Sequence, residues 1–474
     1  MKSVNKLWSI IIAIMMITVL SPELSFANNG LGGNGTEASP YEISSEEDLI
    51  QMVDKVKNGE GDAFYVMTTD FEVTSESIEP IGKDANTAFT GSFDGQGHKI
   101  TGYKQRLTAD DGNYGGLFGY TNNATIKNIT MESVNINNTG SKAYVGGIVG
   151  YMKNGTIENV KVTSGSVSSG MTAGGIIGGL ENGATFRSFE NEATVSGSSC
   201  AGGILGYTPS SVTLSRMKNS GNINGRTAGG VLGTGYNTYT KIENSRNSGT
   251  ITGTSYAGGI CGERAAITDC ENTGSIKGDR IAGILSYSGA ASGTVAKSSN
   301  KGTVSGTGEV AGICIGGSSS ECYNTAAVTS TGGMAYGIGP SATNCYNTGK
   351  ITSTSTAMGI GMGATTSYNI GVVNGQGGSY AISNKSVANC YYLGNRGTGV
   401  SGATSLTSEQ MEIQESFTGF NFGTWTLAGI EEYPYPELNA VEMVYIESVI
   451  EGFAGGKGTA KDPYHVQTAR ILGL

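Results

Sequence analysis

A Gly-Gly-aliphatic phrase returns again and again through the middle of the chain, and that return constrains the fold more than any other feature. It reads Gly115-Gly116-Leu117, Gly146-Gly147-Ile148, Gly174-Gly175-Ile176, Gly202-Gly203-Ile204, Gly229-Gly230-Val231 and Gly258-Gly259-Ile260. It then degenerates to Ala282-Gly283-Ile284, Ala311-Gly312-Ile313, Tyr336-Gly337-Ile338 and Met358-Gly359-Ile360. The second residue of the phrase advances in steps of 31, 28, 28, 27, 29, 24, 29, 25 and 22 residues. A chain that repeats itself at that period stacks one small unit on the next, so its architecture is a solenoid rather than a set of globular domains.

A second column fixes the register. Asn191, Asn219, Asn247, Asn272, Asn300, Asn324, Asn347 and Asn369 recur at matching intervals, each followed within a few residues by a β-branched side chain such as Val195, Ile223 or Ile251. Each unit carries about three short β-rich segments separated by Gly, Asn, Ser or Thr, with no helical periodicity between them. The expected fold is all-β, a right-handed parallel β-helix of about 11 coils, roughly 50 Å long at the usual strand spacing. Asn stacked over Asn passes side-chain amide hydrogen bonds along the axis, so the column reads as a structural ladder.

Composition agrees and excludes other classes. Gly supplies 77 of 474 residues without a collagen period, Pro only 8, and charged residues 14%, too few for a coiled coil. The net charge of −10 and only two His, His98 and His465, argue against nucleic-acid binding and a His-rich metal site. No cofactor is called for.

Residues 1–27 read as a secretory signal: Lys2 and Lys6, an apolar run from Leu7 to Leu20, and Ser25-Phe26-Ala27 before the cut. A retained anchor is the alternative, and no later segment reads as a membrane span. The mature chain is expected outside the cell. Residues 28–120 form the amino-terminal end, with a helix from Ser44-Ser45-Glu46-Glu47-Asp48 through Val56 that puts Leu49, Met52, Val53 and Val56 on one face. Residues 121–400 are the repeats. Residues 401–438 close the other end, with a short helix or turn at Ser408-Glu409-Gln410-Met411 and the aromatics Phe417, Phe420, Phe422 and Trp425. Such covers hide edge backbone and core side chains that an open coil would expose.

The phrases TAGGIIGGLENGATF and YAGGICG resemble the GLUG motif, a glycine-rich repeat of bacterial surface proteins and of regions flanking IgA-specific metallopeptidases. GGNGTEASPYEISSEEDL at 32–49, FTGSFDGQGHKITGY at 89–103 and the 405–438 segment are similar to the start and end of such modules. The resemblance implies a secreted or cell-surface β-helix used in adhesion. It implies no particular chemistry, because the motif is a structural repeat. In the remaining segment, 439–474, Gly456-Lys457-Gly458-Thr459 and Pro463-Tyr464-His465-Val466 echo Gly33-Asn34-Gly35-Thr36 and Pro40-Tyr41-Glu42-Ile43 at a constant offset of 423. A second module is expected to start there, as a covalent continuation.

Catalytic signals are weak. A zinc peptidase needs two His a helical turn apart, and His98 and His465 are 367 residues apart. A polysaccharide hydrolase or lyase would need paired carboxylates or a base beside calcium. Asp269, Glu271 and Asp279 with Arg264 and Arg280 are the one such neighbourhood in the repeats, and ordinary surface charge explains it as well. Asp94-Gly95-Gln96-Gly97-His98 reads as a tight turn. No catalytic or metal-ligating residue is assigned.

The candidate binding surface comes from strand alternation. One place before the Asn column stand Glu190, Lys218, Arg246, Glu271 and Ser299, then Tyr323, Tyr346, Tyr368 and Tyr391. If Asn points in, these point out, and the four Tyr make an exposed stacked stripe about 15 Å long. Aligned rings suit the apolar faces of a glycan or a partner protein on a host or cell surface, although they also simply stabilise one another. Of the seven Cys, Cys270, Cys322, Cys345 and Cys390, two places before the Asn column, and Cys261 and Cys314, in the Gly-Gly strand, replace core residues and read as buried free thiols, with Cys322 and Cys345 in neighbouring coils within reach of a disulfide. Charge has a geography: −9 over residues 1–120, +6 over 121–400 and −7 over 401–474, so the rod is mildly basic.

Overall fold

The computed structural model describes residues 30–235, 240–287, 293–427 and 434–439. The expected signal segment and nearly all of the expected second-module start lie outside the described residues. The chain winds into a parallel β-solenoid of about ten turns. Three sheets of 21, 18 and 7 strands run along it, and every named strand pair is parallel except Trp425–Thr426 with Glu437–Leu438. In the early turns one strand spans two sides, as in Phe118–Glu132, Val149–Val162 and Ile177–Asn191. From Thr213–Ser215 onward the 7-stranded sheet separates as a side of its own.

The corner before the Asn strand is made the same way in each turn. Ser188, Arg216, Asn244, Asp269, Lys297, Glu321, Asn344 and Thr366 all have φ between 47° and 61°. The left-handed conformation is there demanded by the corner rather than chosen by the residue, since only two of the eight are Asn.

Three residues further on, the Asn column is buried and hydrogen-bonded from turn to turn. Asn219 Nδ2 donates to Asn247 Oδ1 at 2.7 Å and to the Gly221 carbonyl at 2.9 Å. The same pair of bonds recurs down the column, ending with Asn347 on Asn369 at 2.7 Å. At the amino end the row continues as Val162, which has no proton to give, and Asn191 Oδ1 has no hydrogen-bond partner among the described residues.

The interior is aliphatic, with Ile148, Ile176, Ile204, Val231, Ile260, Ile284, Ile313, Ile338 and Ile360 fully buried in one continuous file. Six of the seven Cys sit in the same packing and Cys200 lies outside it; all seven are buried and unpaired, so the Cys322–Cys345 disulfide does not form. Burial pushes the Cys270 and Cys314 thiols up to about 12, which makes them poor nucleophiles. The helix Glu46–Lys57 starts on Ser45, whose side chain accepts from the Asp48 amide, and buries Leu49, Met52, Val53 and Val56 in the core. Among the described residues no helix is long and apolar enough to cross a membrane.

Candidate functional site

The expected tyrosine stripe forms, but it is not a free surface. Tyr323, Tyr346 and Tyr368 stack at 5.0 and 5.2 Å with planes within 5°. Tyr346, Tyr368 and Tyr391 are nevertheless 5%, 0% and 6% exposed. The reason is the segment after the last turn, which lays Phe417, Phe420 and Trp425 across the rings. Tyr368 donates its hydroxyl proton to the Pro436 carbonyl, and Tyr391 to that of Thr418 at 2.8 Å. These rings lie in a cluster apart from the aliphatic core, where a row of ring faces this large is covered by the chain's own aromatics. Tyr346, Tyr368 and Tyr391 are therefore an inner layer rather than the exposed stripe expected, and Tyr323 at its edge stays partly exposed.

The charged half of that row stays outside. Glu190 is paired with Lys161 at 3.6 Å and with Lys218, and Glu271 with Arg246 at 3.6 Å and Lys301. Exposed pairs of this kind contribute little stability. The charged neighbourhood marked in the sequence is dispersed: Glu271 belongs to this row, Asp269 turns a corner, Asp279 accepts from the Thr307 hydroxyl at 2.8 Å, and Arg280 lies on another sheet. His98 Nδ1 lies 2.9 Å from Asp70 Oδ1, and Asp94 accepts from the Gln96 amide in the turn expected for that segment.

The arrangement that sequence reading missed lies at the Gly-Gly bend. Three residues before the second Gly runs the outward row Tyr144, Thr172, Cys200, Thr227, Tyr256, Arg280, preceded in register by Tyr114. Four residues after it runs the row Tyr120, Tyr151, Gly179, Tyr207, Thr234, Glu263, Tyr287. The rows belong to different sheets, yet their outward side chains touch: Tyr144 and Tyr151 are 5.2 Å apart, and Tyr114 and Tyr120 also 5.2 Å. Side chains leaving two sheets meet only where the outer surface is concave, so the bend forms a trough along the axis.

Glycine makes the trough. A Cβ on Gly202 would come within 1.9 Å of the Leu205 carbonyl oxygen, and a Cβ on Gly179 within 2.6 Å of the Tyr144 ring. Where the first Gly of the phrase is lost the trough ends. Ala282, Ala311, Tyr336 and Met358 take that position and, with Ile315, form a separate buried apolar cluster.

Two aromatic platforms line the open length. Tyr114, Tyr120, Tyr144, Tyr151 and Tyr207 form one, with Tyr120 and Tyr151 stacked at 5.6 Å; all but Tyr120 remain partly exposed. Tyr151 reaches Glu181 at 3.4 Å. Tyr256 and Tyr287 form the other, stacked at 5.1 Å, with the Arg280 guanidinium over both rings at 5.9 and 5.6 Å and held by Glu309 at 3.0 Å. Between them lie small residues, among which the Cys200 thiol donates to Thr234 Oγ1 at 3.1 Å. Glu263 stands beside Tyr287, its carboxyl raised by burial against the pull of Arg264 and Arg226. Tyr at a fixed distance after the phrase, at 120, 151, 207 and 287, was the available signal.

Among the described residues no group of three or more His, Cys, Asp and Glu side chains is placed to hold a metal ion.

The fold and site together define a glycine-bent parallel β-solenoid with an outward aromatic trough. No family model matches the chain, so the GLUG resemblance rests on the phrases quoted above. A stretch of 113 residues is 36% identical to Halomucin of Haloquadratum walsbyi, covering 22% of this chain and 1% of that protein. Another of 122 residues is 34% identical to a "Putative Gly-rich membrane protein" of Evansella cellulosilytica, covering 24% of this chain and 13% of the relative. The chain thus spans a small part of the curated relatives it matches. A solved structure, a "putative immunoglobulin A1 protease from Bacteroides ovatus", aligns over 86% of this chain and 95% of its own at 18% identity, with a TM-score of 0.34.

Proposed function

We propose that the chain is a non-catalytic, secreted or surface-displayed solenoid that serves adhesion by recognising a glycan or protein through its trough. The observation that carries this reading is the half-exposed tyrosine platform at the bend. Rings with one apolar face and one hydroxyl edge suit a partly wet contact, and holding them on stacked strands removes most of the entropy that a flexible site would lose on binding. The description of the Evansella relative as a "Putative Gly-rich membrane protein" agrees with display at a surface. The test is retention of the purified chain on glycan arrays and on cell surfaces, compared with Tyr144→Ala plus Tyr151→Ala. Equal retention by a correctly folded variant would remove the trough from the reading.

One observation favours a second reading, in which the trough cleaves a polysaccharide. Glu263, its carboxyl raised by burial, is the type of group that serves as a general acid. Product release from polysaccharides that disappears in Glu263→Gln, with binding kept, would replace the binding-only proposal.

A further inference from the structure

The two platforms are parts of one continuous feature, and their spacing says what shape of ligand could use both. From Tyr144 to Tyr256 the inner row takes four strand steps, through Thr172, Cys200 and Thr227, which is about 19 Å at about 4.8 Å per step. No globular side chain or compact ligand bridges that distance, but an extended chain lying along the axis does. The residues of this row between them are short and buried, Thr172, Cys200 and Thr227 being 3%, 6% and 3% exposed, so no side chain of the row stands above the floor, and Tyr207 of the facing row flanks it.

Chemistry narrows the ligand further. The ionic groups along the trough alternate in sign: Glu181 with Lys153 at 3.8 Å, and Arg280 with Glu309 at 3.0 Å. An anionic chain would meet Glu181, Glu263 and Glu309, and a cationic one Arg280 and Lys153. A neutral chain of hydroxyl-bearing rings meets only complementary groups. Its C–H faces rest on tyrosine faces, and its hydroxyls reach carboxylates and a guanidinium that are already oriented by their ion pairs. The far end is closed where Tyr336 is buried next to Glu309, so the chain enters from the Tyr114 side or lies over the lip.

We propose that the trough binds a linear neutral polysaccharide lengthwise, gripped at once by the platform of Tyr144, Tyr151 and Tyr207 and by that of Tyr256, Tyr287 and Arg280. This rests on the trough being the binding site, as proposed above. Two weak contacts joined by one ligand act as a bivalent pair, so affinity depends on ligand length. Tyr207 stands two strand steps, about 10 Å, before the turn of Tyr256, so a chain of two or three rings reaches across the nearer edges, and the gain grows until the chain covers Tyr144 through Tyr256, about 19 Å, and then levels off.

The experiment is calorimetric titration of the whole chain with neutral oligosaccharides of two to eight rings, run in parallel for β-linked glucose, mannose and xylose series. Tyr144→Ala plus Tyr151→Ala, Tyr256→Ala plus Tyr287→Ala, and the ring-preserving Tyr256→Phe plus Tyr287→Phe are the variants, each checked by circular dichroism. The expected result is a rise in affinity of about tenfold or more between two and six rings, abolished by either alanine pair and kept by the phenylalanine pair. If long chains bind but one alanine pair leaves the length dependence intact, the two-platform inference is overturned while the trough remains a glycan site. If no neutral glycan binds, yet retention on cells still falls in Tyr144→Ala plus Tyr151→Ala, the ligand is a protein or charged glycan and this inference is wrong. If neither glycans nor cells are affected by any variant, the trough reading falls with it.

Discussion

Gly203 and Asn219 occupy the same space: a Cβ on Gly203 would come within 2.5 Å of the Asn219 carboxamide. The two columns seen in the sequence are therefore one contact. Gly175 meets Asn191, Gly230 meets Asn247, and the pairing continues to Gly359 with Asn369. The second Gly of the phrase is kept through the ten repeats because, from Gly147 on, a Cβ there would strike the backbone carbonyl of the next turn at 1.9–2.3 Å and, from Gly175 on, an Asn amide as well, whereas the first Gly, which shapes the trough, gives way to Ala, Tyr and Met.

That contact predicts a contrast between two glycines. Gly203→Ala would drive its Cβ to 2.0 Å from the Gly230 carbonyl oxygen and 2.5 Å from the Asn219 amide, prising the turns apart and pushing the amide out of line with Asn191 and Asn247, and is expected to destabilise by more than about 3 kcal/mol, in the range of overpacked cores and broken buried networks. Gly183, around which nothing lies within 4 Å, should accept Ala with a change within about 1 kcal/mol. Urea denaturation of both variants decides it, and equal losses would refute the contact as the reason for the phrase.

The unpartnered Asn191 Oδ1 offers a second measurement. Threonine has the shape of valine with a hydroxyl added, so Thr at 162 can donate to that oxygen where Val cannot. Val162→Thr is expected to be neutral or stabilising. Val160→Thr, at a fully buried site in the apolar core cluster, should lose about 1–2 kcal/mol. Removing an interior rung by Asn247→Ala takes the acceptor from one of the two Asn219 amide protons and the donor from Asn272 Oδ1, and should cost about 3 kcal/mol or more.

The cover over the inner tyrosines separates stability from recognition. Trp425 is fully buried against Tyr346, Tyr368 and Phe420, and Trp425→Ala is expected to cost about 3–5 kcal/mol. Ligand binding in the trough should stay within about twofold of the parent value, because the cover lies over a different row. A loss of binding that matches the loss of stability would place recognition at the covered stripe instead.

What was legible in the sequence is whatever each turn has to repeat. Asn191 to Asn369, the buried Ile file and the alternation that sets Tyr346 apart from the aliphatic core all follow from stacking identical units, and period alone reveals them. The cover was not legible, because Phe417, Phe420 and Trp425 lie beyond the repeats and no register ties them to Tyr368. The trough was missed for another reason. Its tyrosines keep a fixed distance from the Gly-Gly phrase, but they alternate with Gly179, Thr234 and Glu263, and only the bend brings Tyr144 against Tyr151.

Acid should loosen the amino-terminal helix before the solenoid. Glu46 opens that helix and accepts from the Thr74 amide and hydroxyl and the Ser75 amide at 2.8–2.9 Å. Burial pushes its carboxyl up, but the hydrogen bonds from Ser75 and Thr74 outweigh it and hold the group down at about 2, from an ordinary value near 4.5. A carboxyl lowered by folding adds stability that is complete above its unfolded value and is lost as pH falls through the folded one. The clamp between helix and loop is thus intact above about 4.5 and released progressively toward 2. Hydrogen exchange at residues 46–57, followed from pH 6 to pH 2 after correction for intrinsic rates, should show protection falling in that window. Glu46→Gln should begin less protected at pH 6 and lose less on acidification. An unchanged acid profile in the variant would mean that other carboxylates, not Glu46, govern the opening of this end.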